Sequence, residues 1–237
     1  MLDELLYKTH RQIFCYNGNI GHQFVPNLKA RIINENGGYY VKTNSSGFRS
    51  DCEFVKEKNK KPRILFFGDS NTAADGVSNK ERFSDLVGKH FDAEVYNYGL
   101  SGSGTDQQYL IWKNYAQNVK ADLIVLCVLV ENIERNKVAY RQSLNPFTKE
   151  TSFIPKPYFD YKNKDLLLKN IPIPRERENI SLIDEDMIQW SIPKKQKFIY
   201  SLINLWRESK IFNPIRKKFD NNLKKIRSLL ISNFYQP

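Results

Sequence analysis

Residues 63–71 read RILFFGDSN: five residues of which four are apolar, closed at once by Gly68, Asp69 and Ser70. A short apolar run that ends in a Gly-Asp-Ser turn predicts a buried strand handing its carboxyl end to a loop. Two similar runs follow. EVYNY at 94–98 leads into GLSG at 99–102, and DLIVLCVLV at 122–130 leads into Glu131 and Asn132. The third run carries no polar residue after Asp122, the pattern of a strand covered on both faces.

Helical spacing fills the gaps between these runs. Ser78-x-x-Glu81 predicts a helix start, with Phe83, Leu86, Val87 and Phe91 on one face. Thr105-x-x-Gln108 predicts another, with Tyr109, Trp112, Ala116 and Val119 at helical spacing. Strand, helix, strand, helix, strand within about 70 residues implies a parallel α/β sheet with right-handed crossovers and helices on its faces. The expected order is flavodoxin-like, with 63–67 central, 94–98 to one side and 122–130 to the other. Strands to follow the third are not evident after residue 150, so the sheet is expected to be incomplete on that side and Leu123–Val130 to be an edge in need of cover.

Outside this core, residues 1–60 read as an N-terminal accessory segment. It contains a hairpin in ARIINENGGYYVKTN, where Asn36-Gly37-Gly38 supplies the turn. Lys56–Lys61 reads as an exposed linker leading to the α/β core at 61–150. Residues 151–237 complete the same domain. Within them, Thr151–Pro174 carries four prolines and reads as extended surface chain with one hairpin near Lys162–Asp165. Two amphipathic helices follow, on Phe198–Ile211 and Phe219–Leu230.

With 237 residues, 41% hydrophobic and 27% charged, the chain can bury a sizeable core and is not of a disordered composition. Cys15, Cys52 and Cys127 are an odd, scattered set, read as reduced thiols with neither a disulfide framework nor a metal site. The N-terminus has Asp3 and Glu4 where a secretory leader needs positive charge, and the longest apolar run, Leu123–Val130, has eight residues, too few to span a bilayer. A cytoplasmic location is the expectation. The net charge of +11 is concentrated from Lys194 onward, which carries +9. Nucleic-acid binding by the α/β body is therefore not expected. The basic helices are read as a solvated face, with peripheral membrane contact or partner docking as alternatives.

In an open parallel sheet, ligands sit at the carboxyl ends of the strands. Those ends here offer a serine after a glycine (Ser70), a glycine N–H (Gly102) and an asparagine amide (Asn132). A hydroxyl nucleophile with two donors for a developing oxyanion is equipment for acyl transfer. No cofactor is called for. Asp69 is read as a turn-shaping carboxylate, and Cys127 as a small buried hydrophobe.

GDSN at 68–71, NYGLSGSGTDQQ at 97–108 and VEN at 130–132 resemble, in order, three blocks of the SGNH/GDSL hydrolases. TNSSGFRS at 43–50 and the KPYF…LLL…PIP run at 156–174 are similar to elements flanking that fold in long bacterial members. The resemblance implies a three-layer α/β/α fold and a serine esterase or acyl hydrolase. Ser70 would be the nucleophile; the Ser70 and Gly102 N–H groups and the Asn132 amide would be the oxyanion donors. Substrates would be small-molecule or carbohydrate O-acyl esters. The family's Asp-x-x-His, whose imidazole serves as general base, has no counterpart in this chain: His10, His22 and His90 each lack an aspartate three positions earlier. Two expectations follow, an esterase whose Asp and His lie beyond Pro237, or an inactive binding or scaffold module. Either way this chain alone is expected to be a weak catalyst or none. If it does turn over esters, His22, brought in by the N-terminal segment, is the base to test.

Overall fold

The computed structural model describes residues 13–33, 37–144, 151–174 and 185–189. The chain divides into two compact units, Met1–Gln189 and Trp190–Pro237, and the described residues all belong to the first. Both C-terminal helices expected from the sequence lie outside the described residues, as does the whole basic tract from Lys194.

In chain order the elements are β1 Phe14–Asn17, β2 Gly21–Phe24, β3 Lys29–Ile32, β4 Tyr39–Lys42, β5 Arg63–Phe67, α1 Ser70–Ala73, α2 Phe83–His90 and β6 Glu94–Asn97. Next come α3 Thr105–Ile111, extended by a wider turn over Trp112–Ala116, β7 Leu123–Leu126 and a 3-10 helix over Val130–Lys137. The remainder is β8 Tyr140–Leu144, β9 Thr151–Pro155, β10 Tyr158–Lys162, β11 Asp165–Lys169 and β12 Ile188–Gln189.

The fold is mixed α/β around a parallel three-stranded sheet ordered β6-β5-β7. Ile64 pairs with Val95 on one side and Leu123 on the other, which places β5 in the centre. All five residues of β5 are buried. Antiparallel hairpins surround this sheet: β1 with β2, β3 with β4, β8 with β9 and β10 with β11. The β3–β4 turn uses Gly37 and Gly38 at φ of +93° and +99°, values open to glycine at little cost. Asn163 and Lys164 turn the β10–β11 hairpin at the place expected.

Aromatic packing ties the N-terminal hairpins to the sheet. Phe67 stacks on Tyr98 at 5.1 Å and Phe54 on Tyr96 at 4.3 Å, while Phe48 meets Tyr98 edge-on at 4.9 Å. Ile20, Phe24 and Phe48 share one buried cluster with Leu65, Leu100 and Ile111. Arg63, wholly buried, donates to Glu94 and to the carbonyls of Val55, Lys56, Glu57 and Lys120, which pins the charged 56–61 linker against the start of β5.

Several sequence expectations need correction. The α2 helix starts at Phe83 with Arg82 as cap, and Ser78 and Glu81 form a turn ahead of it. Its buried face is Ser84 and Gly88, whereas Phe83, Leu86 and Phe91 are exposed. The reason is close approach: a Cβ at Gly88 would lie 2.6 Å from Val95 Cγ2, and the Ser84 hydroxyl accepts a bond from Asn97. The α3 helix is capped by Gly104 with Gln107, one position earlier than Thr105 and Gln108. The third strand stops at Leu126, so Cys127 is a half-buried residue beyond its end. β7 ends the sheet among the described residues, as expected, but Leu123, Ile124 and Leu126 are exposed, so it is not a strand covered on both faces. The 151–174 stretch also reaches the interior, since Phe153, Lys156 and Ile173 are buried. Among the described residues, no helix is long and apolar enough to cross a membrane.

Candidate functional site

The carboxyl ends of β5 and β6 meet through backbone bonds. Leu100 N–H donates to Gly68 O at 3.0 Å and Ser103 Oγ donates to the same carbonyl at 3.3 Å. Gly68 permits this: a Cβ there would lie 1.9 Å from Thr72 Oγ1. Asp69 caps α1, accepting from Asn71 N–H at 2.9 Å, and Ser70 is the first helical residue. Its side chain is half-buried, and its hydroxyl has no hydrogen-bond partner among the described residues.

Asn132 reaches this turn from the 3-10 helix. Its side-chain amide donates to Asp69 Oδ2, and Arg135 Nη1 lies 3.8 Å from the same oxygen. Asp69 is 2% exposed. The structure thus brings Asn132 onto the residue immediately before Ser70, and the turn-shaping role read for Asp69 extends to holding that amide. Gly102 sits at φ of +78° in the loop after β6. Its neighbour Ser101 donates through Oγ to Asp75 Oδ1 at 2.7 Å, and Asp75 N–H donates to Ser70 O at 3.0 Å. Asn132 is thus bonded to the residue before Ser70, and the loop of Gly102 is joined to Ser70 O through Ser101 and Asp75.

A pocket of about 140 Å3 opens beside Asn132, lined by Asp69, Ser103, Gln108, Val130, Ile133 and Asn136 among others. Ser70 is not part of that lining. Among the described residues Gln108 Oε1 is buried with no hydrogen-bond partner, so the pocket wall keeps an unused acceptor.

His22, on β2, approaches the same loops but is engaged. Its Nε2–H donates to Ser101 O at 2.9 Å, and Phe14 packs edge-on against the ring at 5.6 Å. The ring keeps some solvent-accessible surface, yet dense surroundings lower its pKa to about 4, with the charges of Arg141 and Lys156 acting in the same direction. At neutral pH it is an uncharged imidazole whose Nε2 is used as a donor to a carbonyl. His90 is exposed on α2, against Phe91. His10 lies outside the described residues.

Two arrangements escaped the sequence reading. Arg49, in the TNSSGFRS stretch, is 1% exposed and donates to Ala73 O, Ala74 O and Val77 O at 2.7, 2.9 and 2.7 Å. It closes the carboxyl end of the helix that begins with Ser70. Burial, with Arg82 nearby, lowers its pKa to about 10. Lys156 is also buried, paired with Asp106 and donating to Arg135 O and Val138 O. That anchors the 151–174 stretch under the 3-10 helix. Among the described residues, no group of three or more His, Cys, Asp or Glu is placed to hold a metal ion.

No protein-family model matches this chain, and no curated protein matches it.

Proposed function

We propose that this chain is an SGNH/GDSL-type domain with flavodoxin-like strand order, built to act on carboxylic esters, carbohydrate O-acyl esters among them. Ser70 is the nucleophile; the Ser70 and Gly102 N–H groups and the Asn132 amide are the oxyanion donors. The observation that carries this reading is the bond from Asn132 to Asp69, which ties the third strand-end block to the residue before Ser70. Unrelated strand-end polar residues have no reason to converge in this way. Attack by Ser70 on an ester carbonyl needs its proton removed, and no described side chain is placed to take it.

The test is covalent labelling of the full chain by a fluorophosphonate. Modification confined to Ser70, absent in Ser70→Ala and slowed in Asn132→Ala, is the expected result. Labelling of Ser70 no faster than of exposed serines would defeat the acyl-transfer reading. A second reading, an inactive binding module on the same fold, is favoured by the engagement of His22 with Ser101 O. On that reading the chain hydrolyses no p-nitrophenyl acetate above background. We further propose peripheral membrane contact through the basic tract from Lys194 onward and a partner that covers the β7 edge.

A further inference from the structure

Arg141, on β8, lays its guanidinium against Gly102. A Cβ at Gly102 would lie 1.6 Å from Nη1, 2.4 Å from Cζ and 2.9 Å from Nη2, so the absence of a side chain there is what admits the group. The residue is half-buried. Among the described residues its guanidinium makes no hydrogen bond and no ion pair, while its backbone pairs with β9 and β12. A guanidinium carries five N–H donors in a planar fork, and holding them partly out of water without an acceptor is unfavourable. Burial accordingly lowers the pKa of Arg141, with Arg135 adding to the effect.

The neighbouring cations contrast with it. Lys156 is paired with Asp106, and Arg135 faces Asp69 and donates to Ser103 O. The Asp75 carboxylate acts electrostatically on the guanidinium, but it accepts from Ser101 and forms no ion pair with Arg141 among the described residues. Arg141 is the charged fork left open beside the Gly102 N–H.

We propose that Arg141 is the anion-binding residue of this site, receiving the carboxylate or phosphate oxygens of a negatively charged ester. The planar fork matches either oxyanion in bidentate fashion. This deepens the esterase reading and rests on it for the word ester, but the binding of the anion does not depend on catalysis.

The test is equilibrium titration of the full chain carrying Ser70→Ala with monomethyl succinate, its neutral counterpart dimethyl succinate, and inorganic phosphate. The monoanion should bind about tenfold tighter than the diester, the scale of one charge-assisted contact. Arg141→Gln should abolish that preference and leave the diester within about twofold. Asp75→Asn, at an exposed position, should strengthen binding of the monoanion. Phosphate binding as tightly as monomethyl succinate, and lost in Arg141→Gln, assigns the site to phosphate; weaker phosphate binding assigns it to carboxylate. Equal affinity for monoanion and diester, no measurable binding of either anion, or a preference that survives Arg141→Gln overturns the proposal. If the preference is found while Ser70 resists the fluorophosphonate, the anion site stands and the esterase reading falls. The reverse pattern removes this proposal alone.

Discussion

Asp69 holds the side-chain amide of Asn132 across 63 positions of sequence while capping the helix that starts at Ser70. One carboxylate therefore fixes both the direction of α1 and the direction of a candidate oxyanion donor. Asp69→Asn keeps the size of the side chain but presents an NH2 group with a single acceptor oxygen, and it leaves Arg135 without its anion. Asparagine can still cap the helix, so what is lost is the second acceptor, for the Asn132 amide, and the charge facing the half-buried Arg135, together about 1–3 kcal/mol. The expected result is a melting temperature lower by about 4–10 °C, together with a drop in the rate of Ser70 labelling, read by differential scanning calorimetry and fluorophosphonate kinetics. An unchanged melting temperature would show that the Asp69–Asn132 link contributes nothing.

His22 gives a pH signature. Its folded-state pKa of about 4 lies below the unfolded value of 6.5, so the unfolded chain binds more protons between these limits. The stabilisation from a neutral His22 is complete above pH 6.5 and is lost as pH falls toward 4. Allowing for the solvent that still reaches the ring, the change is about 2 kcal/mol. His22→Gln retains a donor for Ser101 O without titrating there, so the difference in urea midpoint between the two chains should shift in the variant's favour from pH 7 to pH 4.5. Other titrating groups are common to both chains and cancel. Ser70 labelling at pH 7 should survive the change. A loss greater than tenfold, in a variant that remains folded, would make His22 the base.

The central sheet was legible because its strands write themselves as short apolar runs: Arg63–Phe67, which is buried, and Leu123–Leu126, whose burial the same pattern overstated, are both recognisable without a partner. What depends on close approach was not legible. Periodicity turned the α2 helix so that Phe83 and Leu86 faced inward, whereas the contact surface is made by Ser84 and Gly88, which allow the backbone to approach Val95. The hairpin of β1 and β2 was missed because FCYN and GHQF are short and mix polar with apolar residues. Arg49 reads as a surface charge in any local window; its three carbonyl acceptors lie at residues 73–77, so its role appears only with the tertiary fold. Ser70, Gly102 and Asn132 could be named from strand ends, but the bond from Asn132 to Asp69 and the cation beside Gly102 could not.

The outer edge of β7 has no paired strand among the described residues, and Leu123, Ile124, Leu126 and Val130 are exposed at 52, 55, 55 and 71%. Apolar edges recruit other strands, and a single charge on them blocks that pairing. Ile124→Lys should therefore reduce concentration-dependent association in sedimentation velocity while moving the melting temperature by less than about 2 °C. Association unaffected by this change would place the contact elsewhere. Slow amide exchange along Leu123–Leu126 in a proven monomer would show the edge to be covered.

Gly102 and Arg141 can be separated by a double-mutant cycle, because an alanine at 102 meets two obstacles of different origin. The first is local: φ of +78° is open to glycine and costs an L-residue about 1–2 kcal/mol. The second is the guanidinium, whose Nη1 would stand 1.6 Å from the new methyl carbon. In the presence of Arg141 both act, and the long side chain must swing away or the loop must move. In an Arg141→Ser background only the first remains, since serine cannot reach across to Gly102. Gly102→Ala should therefore cost more stability with Arg141 present than without it, the excess being about 1 kcal/mol or more for residues in direct contact. Equal costs in the two backgrounds would mean that the guanidinium does not rest against Gly102, and the anion site argued from that contact would lose its geometry. An excess confined to pairs containing Arg141, with no such coupling between Gly102→Ala and Ile124→Lys on the distant edge, would fix the guanidinium in place beside the candidate oxyanion donor.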